Sequence, residues 1–268
     1  MEKSYGVNQQ TKLLSLVDSY IEELQINGFS VLEDVLNFEK LEICRNKLDI
    51  IYETQKEHFG ERNLKKINEQ NLVRCPLLYD EFFIDIATNH RVMEIVKKVL
   101  GDYFILHLQN GIINKPNEEH HQSSWHRDLP YQNFVISKPL ALGALFCIDD
   151  FTNESGSTFV LPHSHRVELI PSSQYIEKNS KQIIAKAGSV ILFDSMLFHK
   201  AGYNSANYIR RAINNVFVVP IIKQQINLPI ALNGKYSDDD FLSKLLGYQS
   251  NSPSSDIEWR NNRIKNAK

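Results

Sequence analysis

The sequence predicts a mainly β fold, a sandwich or barrel trimmed with α-helices. Three observations lead there. The chain has 268 residues, more than a typical single domain but a fit for one large sandwich or barrel. Up to Gly101 the apolar residues recur at three- and four-residue spacing, the helical period. Beyond Gly101 the pattern changes to short apolar runs separated by Gly, Pro, Asn and Asp, the punctuation of many short strands.

Each element follows in order. Leu13, Leu14, Val17, Ile21 and Leu24 mark an amphipathic helix that Asn27-Gly28 stops. Phe29–Leu32 is a short strand. Residues 38–58 form a helix with Leu41, Cys44, Leu48, Ile51 and Tyr52 on one side. Residues 60–72 are polar and predict a loop. Asp80–Leu100 predicts one or two helices closed by Gly101. Strands are then expected over 103–113, 140–151, 158–161, 183–187, 189–193 and 212–219. Residues 232–268 are polar and predict a surface helix near 238–247 and a mobile end. No repeat or linker divides the chain. It is expected to be a single domain over 1–268, with a mostly helical part (1–101), a β core (102–222) and a polar tail (223–268).

Composition excludes several classes. Apolar residues make up 42% and charged residues 23%, which argues against a mainly disordered chain. Thirty basic against 32 acidic residues give a charge of −2, without the basic excess of a nucleic-acid binder. No run approaches the roughly 18 apolar residues of a membrane span. The first ten residues hold no apolar segment, so no secretory leader is expected. Cys44, Cys75 and Cys147 are odd in number and far apart, which suits reduced thiols and a cytoplasmic location. An enzyme or binder of a small molecule remains.

The most informative stretch is Ser124–Asp128. On a strand, positions two apart face the same side, so His126 and Asp128 can reach one metal. His199 ends the apolar run that begins at Ala187-Gly188 and can add a second imidazole. Two His and one carboxylate with open positions is the arrangement of non-haem Fe(II) oxygenases; hydrolytic zinc sites use the same three groups. Arg210 stands eleven residues after His199, expected on the next, antiparallel strand. There its guanidinium can clamp a carboxylate in a bidentate pair. Arg210 and Arg211 are adjacent, so at most one faces inward; the other is expected outside, as an exposed charge.

With these residues in place, the chain resembles the phytanoyl-CoA dioxygenase family of Fe(II)- and 2-oxoglutarate-dependent oxygenases. Four ordered segments carry the resemblance: Trp125–Asp128, Gly156–His165, Ala187–Phe193 with His199, and Arg210–Ala212. It implies a double-stranded β-helix (jelly-roll, cupin-like) core, iron held by His126, Asp128 and His199, and the distal carboxylate of 2-oxoglutarate on Arg210. Gln109 matches a position where the family places an amide on the carboxylate beside the keto group. Thr158 is a further cosubstrate candidate. For both, an ordinary strand residue is the alternative. The implied reaction consumes O2 and 2-oxoglutarate, releases succinate and CO2, and usually hydroxylates an unactivated C–H bond. Related halogenases lack the carboxylate ligand, so Asp128 argues against halogenation.

Two departures stand out. Pro162–His165 contains imidazoles where the family often has Pro-Gly-Ser-His, and these are expected to be turn residues. Ala201 stands where many members carry a hydroxyl. Leu129–Phe134 is expected to line the mouth, with His120 and His121 on a loop before it. Tyr131, Arg127 and Lys115 are candidates for contact with a small polar metabolite. A cupin-type metal-dependent hydrolase or isomerase, and a catalytically silent jelly-roll binder, are the competing classes.

Overall fold

A computed structural model describes residue 6 and residues 11–129 and 132–266. The helix α1 (Leu16–Asn27) starts where Ser15 accepts the Asp18 N–H, and Gly28, with φ 86°, ends it by donating its N–H to Leu24 O. β1 (Phe29–Leu32) follows at once. α2 (Phe38–Phe59), capped by Asn37, buries Leu41, Cys44, Leu48, Ile51 and Tyr52, the stripe its spacing predicts. The stretch expected as a loop instead holds a short helix, α3 (Glu61–Lys66), and reaches β2 (Leu72–Arg74). Residues 80–100 divide into α4 (Phe82–Ala87) and α5 (His90–Leu100), because Asn89 takes an N-cap and accepts from the Arg91 and Val92 N–H groups.

The chain continues through β3 (Ile105–Asn114), β4 (Ala141–Cys147), β5 (Phe159–Val160), α6 (Ser173–Asn179), β6 (Lys181–Gln182), β7 (Val190–Asp194), β8 (His199–Lys200) and β9 (Arg210–Val218). Three helices follow, α7 (Leu228–Ala231), α8 (Asp240–Leu245) and α9 (Asp256–Asn266). α9 occupies the stretch expected to be a mobile end. The strand expected over 183–187 is reduced to a single bridge between Ala185 and Phe151, with β6 lying just before it.

The fold class departs from the expectation. The architecture is mixed α/β, with 36% of the chain helical and 19% in strands. Its strands form two open sheets and no closed jelly-roll barrel. One sheet has six strands in the order β1-β7-β4-β9-β3-β2, every neighbouring pair antiparallel; the other has three, β6-β5-β8. All three strands of the smaller sheet are two residues long, too short to continue the hydrogen-bond ladder around the larger one. Much of the chain forms a helical layer instead. Leu24, Leu48, Phe83, Ile95 and Val96 pack on one face of the large sheet against Leu106, Leu142, Phe146, Leu192 and Phe217. On the other face, Ile112, Leu145, Ile191, Phe193 and Ala212 meet Phe151, Val160, Ile183 and Leu197. The large sheet is thus covered on both sides, which accounts for its nearly unbroken apolar runs. Among the described residues no helix is long and apolar enough to cross a membrane.

Asp194 ends β7 and shapes the turn that delivers His199. Its Oδ1 accepts the Met196 N–H at 2.9 Å, and its own N–H donates to Gly28 O. Burial pushes the carboxyl up to about 6, against the pull of the Met196 N–H and of Arg166 and Arg127. A raised folded-state pKa favours folding below the unfolded value near 3.8, and that contribution is lost as pH rises through 6. Asp194→Asn keeps the Met196 acceptor without the charge. Its stability is therefore expected to match wild type near pH 4 and to exceed it by up to about 3 kcal/mol at pH 8. Urea denaturation across that range checks this; a pH-independent difference contradicts it.

Candidate metal centre

Strand parity decides which side chains meet at the site. β9 sends Arg210, Ala212 and Asn214 toward the space between the sheets, where Arg210 and Asn214 line a narrow cavity with Ile112, Thr158 and His199. The alternate residues Arg211, Ile213 and Phe217 face the helical layer. β9 is not the neighbour of the strand leading to His199: β4 lies between β9 and β7, and β8 pairs with β5. Arg210 therefore reaches the site across the gap between the sheets and not along one ladder.

His126, Asp128 and His199 each offer one ligand atom within 4.8 Å of the others. No extended strand carries Trp125–Asp128; a single bridge ties His126 to His199, with N–H···O bonds of 3.0 and 3.1 Å in the two directions. The Asp128 N–H donates to Ser195 O at 3.2 Å, so both segments are fixed to each other. His126 Nδ1 donates to Ser124 O (2.9 Å) and His199 Nδ1 to Leu197 O (3.0 Å). With both Nδ1 atoms protonated, both Nε2 atoms carry lone pairs toward the centre, the outer-partner device of metal-ligating histidines. His126 Nε2 is buried without a partner, and His199 Nε2 lies 3.5 Å from Asp128 Oδ1.

The electrostatics favour a cation here. Burial raises Asp128, but the His199 and His126 imidazoles and the Asn214 amide outweigh it and hold the carboxyl below the usual carboxylate range. Asn214 Nδ2 donates to Asp128 Oδ2 at 3.3 Å. Burial lowers His199, and the bond to Asp128 more than reverses this. For His126 burial dominates, reinforced by His199, and its affinity for a proton falls. One carboxylate and two imidazoles converge on one point.

Arg210 is 1% exposed and its Nε has no hydrogen-bond partner. Nη2 donates to Gly156 O at 2.7 Å and the guanidinium lies 4.5 Å from the centre of the Phe151 ring. No carboxylate pairs with it among the described residues. Burial lowers its pKa to about 10, so it remains a cation at neutral pH. Gly156 is needed for this contact: its φ is +71°, and a Cβ there would stand 2.5 Å from Gly202 O.

Arg211 differs from its expected solvated state. It donates to both carboxylate oxygens of Asp49 on α2 at 2.7 and 2.9 Å, and to Asp149 at 3.3 Å. This pins α2 to the sheet. Arg211→Ala is expected to cost about 1–3 kcal/mol of stability, measured by chemical denaturation.

The other candidates separate. Thr158 lines the Arg210 cavity. Gln109 lines neither this narrow cavity nor the wider pocket that opens beside His126 and Asp128. It is fully buried on the helical face, where its amide donates to Phe83 O (2.8 Å) and accepts the Leu77 N–H (3.1 Å). A register irregularity between Leu106 and Leu108 precedes it, and its neighbour Asn110 instead lines the cavity that His126 and Asp128 border. Arg127 donates to the carbonyls of Met196, Ser164, Val167 and Glu168 and lies over the Phe198 ring, so its charge anchors loops. Lys115 lies over the Tyr52 ring, away from the site. His163 and His165 bond Ile26 O and Gln25 O and act as turn residues holding α1. His121 borders the pocket, whereas His120 is buried behind it. Leu129, Gln132 and Phe134 line the mouth; Tyr131 lies outside the described residues. Sequence reasoning missed Asn110, Gln122 and Asn214, neutral amides whose role depends on which way a strand or loop turns.

A protein-family model described as phytanoyl-CoA dioxygenase (PhyH) matches residues 24–212. The chain belongs to the phytanoyl-CoA dioxygenase family. Among its relatives is an uncharacterised protein of Mycobacterium tuberculosis, 33% identical over 222 residues, covering 81% of this chain and 80% of the relative. An ectoine dioxygenase of Nocardia farcinica is 24% identical, with 72% and 74% covered. In fold, the chain is similar to SnoN, a non-haem α-ketoglutarate-dependent epimerase of nogalamycin biosynthesis, with a TM-score of 0.57, 19% identity, and 76% and 83% covered. As a member of the phytanoyl-CoA dioxygenase family with a His-Asp-His facial triad, the protein is a non-haem Fe(II)- and 2-oxoglutarate-dependent oxygenase. Its donor set fits iron, because two imidazoles and one carboxylate converge and no further His, Cys, Asp or Glu joins them among the described residues.

Proposed function

We propose that His126, Asp128 and His199 hold Fe(II), that 2-oxoglutarate lies between the metal and Arg210, and that O2 is the oxidant. The observation that carries this is a buried arginine, without a carboxylate partner among the described residues, in the cavity that also holds His199. A buried cation without an anion is costly, and the distal carboxylate of a dicarboxylic acid supplies that anion. Bound iron with its cosubstrate would supply the oxidising power for an unactivated C–H bond. The chain's own residues supply the rest. Asn214 orients Asp128, the backbone carbonyls fix both imidazole tautomers, and Phe193, packed 4.9 Å from His199, excludes water from one side. Thr158 stands beside the cosubstrate as a second polar contact.

The substrate in this proposal is a small, polar, uncharged metabolite that undergoes hydroxylation. The cavity at the metal has a volume of about 760 Å3. Its apolar side is Leu108, Leu129, Phe134, Leu140 and Ile222, and its polar side is rich in amides such as Asn110, Gln132 and Gln225. Of the cations on its wall, Arg74 is paired with Glu69 and Arg127 bonds backbone, which leaves the exposed Lys223 as a single unpaired cation among the lining residues. Neutral donors and acceptors beside an apolar patch suit hydroxyl and carbonyl oxygens better than a coenzyme-A pyrophosphate, which calls for several unpaired cations. Three buried cysteines without disulfides, two of them with thiols that burial pushes up to about 12, suit a reducing, cytoplasmic setting. A metabolite screen that follows succinate release with Fe(II), 2-oxoglutarate and O2 tests the proposal. Turnover that is indifferent to 2-oxoglutarate, or supported by zinc alone, contradicts it.

A further inference from the structure

The wide cavity at the metal and the narrow cavity of Arg210 share three residues: Gln122, His126 and Asn214. His126 is a ligand in the proposed centre, and Asn214 is engaged with Asp128. Gln122 has no such task. Its side-chain amide makes no hydrogen bond to any described residue, although its backbone is held firmly on both sides. The Gln122 N–H donates to His120 Nδ1 at 3.2 Å, and Gln122 O accepts the Ala201 N–H at 2.8 Å. Ser123 N–H closes the turn onto His120 O at 2.9 Å. His120 is suited to this service, because burial lowers it to about 2 and keeps its ring neutral, with Nδ1 an acceptor.

The loop therefore seats on residue 201, which also lines the Arg210 cavity. The Ala201 methyl offers no hydrogen bond. Asn214 Nδ2 gives one N–H to Asp128 Oδ2, and Arg210 Nη2 gives one to Gly156 O. Of the three side chains at the junction, Gln122 alone makes no hydrogen bond to a described residue; His126 and Asn214 each make one. Gln122 thus borders both the cavity of Arg210 and the cavity at the triad.

We propose that Gln122 is a cosubstrate-binding residue, donating from its amide to 2-oxoglutarate at the junction of the two cavities and compensating for the apolar side chain at 201. This rests on the assignment of the Arg210 cavity to 2-oxoglutarate. The same amide then forms part of the wall on which the substrate rests, so cosubstrate and substrate meet across one side chain.

The test is calorimetric titration of anaerobic, Fe(II)-loaded protein with 2-oxoglutarate. Gln122→Leu, similar in size but without polar atoms, is expected to weaken binding about 10- to 100-fold, as for a lost hydrogen bond to a charged group. Gln122→Glu, nearly isosteric, is expected to weaken it further, because a carboxylate then faces a dianion. Adding Ala201→Ser to Gln122→Leu is expected to recover a large part of the loss, since a hydroxyl then enters the same cavity. Binding within twofold of wild type in both Gln122→Leu and Gln122→Glu overturns the proposal. Wild-type protein that binds no 2-oxoglutarate overturns the cavity assignment instead, so the two failures are told apart.

Discussion

Arg210→Ala is expected to weaken the affinity for 2-oxoglutarate by roughly 30- to 700-fold with iron saturating. The guanidinium is buried, cationic and without a carboxylate partner among the described residues. A charge-assisted bidentate contact in such a place is worth about 2–4 kcal/mol when one partner is deleted, and 1.4 kcal/mol is about tenfold. Arg210→Lys is expected to recover little, because an ammonium presents a point charge where Arg presents a planar fork. The control is Arg211→Ala, expected to change this affinity only a few-fold while lowering stability, since its guanidinium ties Asp49 and Asp149 on the opposite face. The reverse ranking of the two arginines would contradict the strand parity.

Asp128→Ala is expected to abolish turnover and to lower iron affinity by at least about a hundredfold. It removes the one anionic protein ligand of the triad and leaves two neutral imidazoles whose Nε2 atoms face each other's space. Loss of even an outer-shell partner costs 10- to 100-fold in metal affinity, and loss of a ligand costs more. It also leaves the Asn214 amide without its acceptor. Iron content after anaerobic reconstitution and succinate formation check this, with circular dichroism confirming the fold. Wild-type turnover in this variant would dismiss the triad.

The helices illustrate what can be read without coordinates. The stripe Leu41, Cys44, Leu48, Ile51 and Tyr52 has helical spacing in the sequence and one buried face in the structure. Gly28 ends α1 where Asn27-Gly28 signals a stop. These are local facts, set by residues within a few positions of each other. Gln109 and Asn110 illustrate the opposite. Both are amides on a β-branched, apolar strand, and nothing local distinguishes them. A register irregularity two residues earlier sends one into the helical layer and the other to the cavity bordered by His126 and Asp128.

By itself the sequence determined the family, the three side chains of the His-Asp-His triad and their order, and most of the helices. These depend on residue identity and short spacing, which survive without tertiary contacts. Only the tertiary structure decided that the strands form two open sheets, that β4 separates β9 from β7, and that Arg211 is tied to α2. It also decided that Gln122 and Asn214 stand at the junction of the two cavities. The reason is physical. Strand pairing and loop seating are fixed by contacts between residues far apart in the chain, such as Gln122 O with Ala201 N–H, and no local period encodes which distant partner will be chosen.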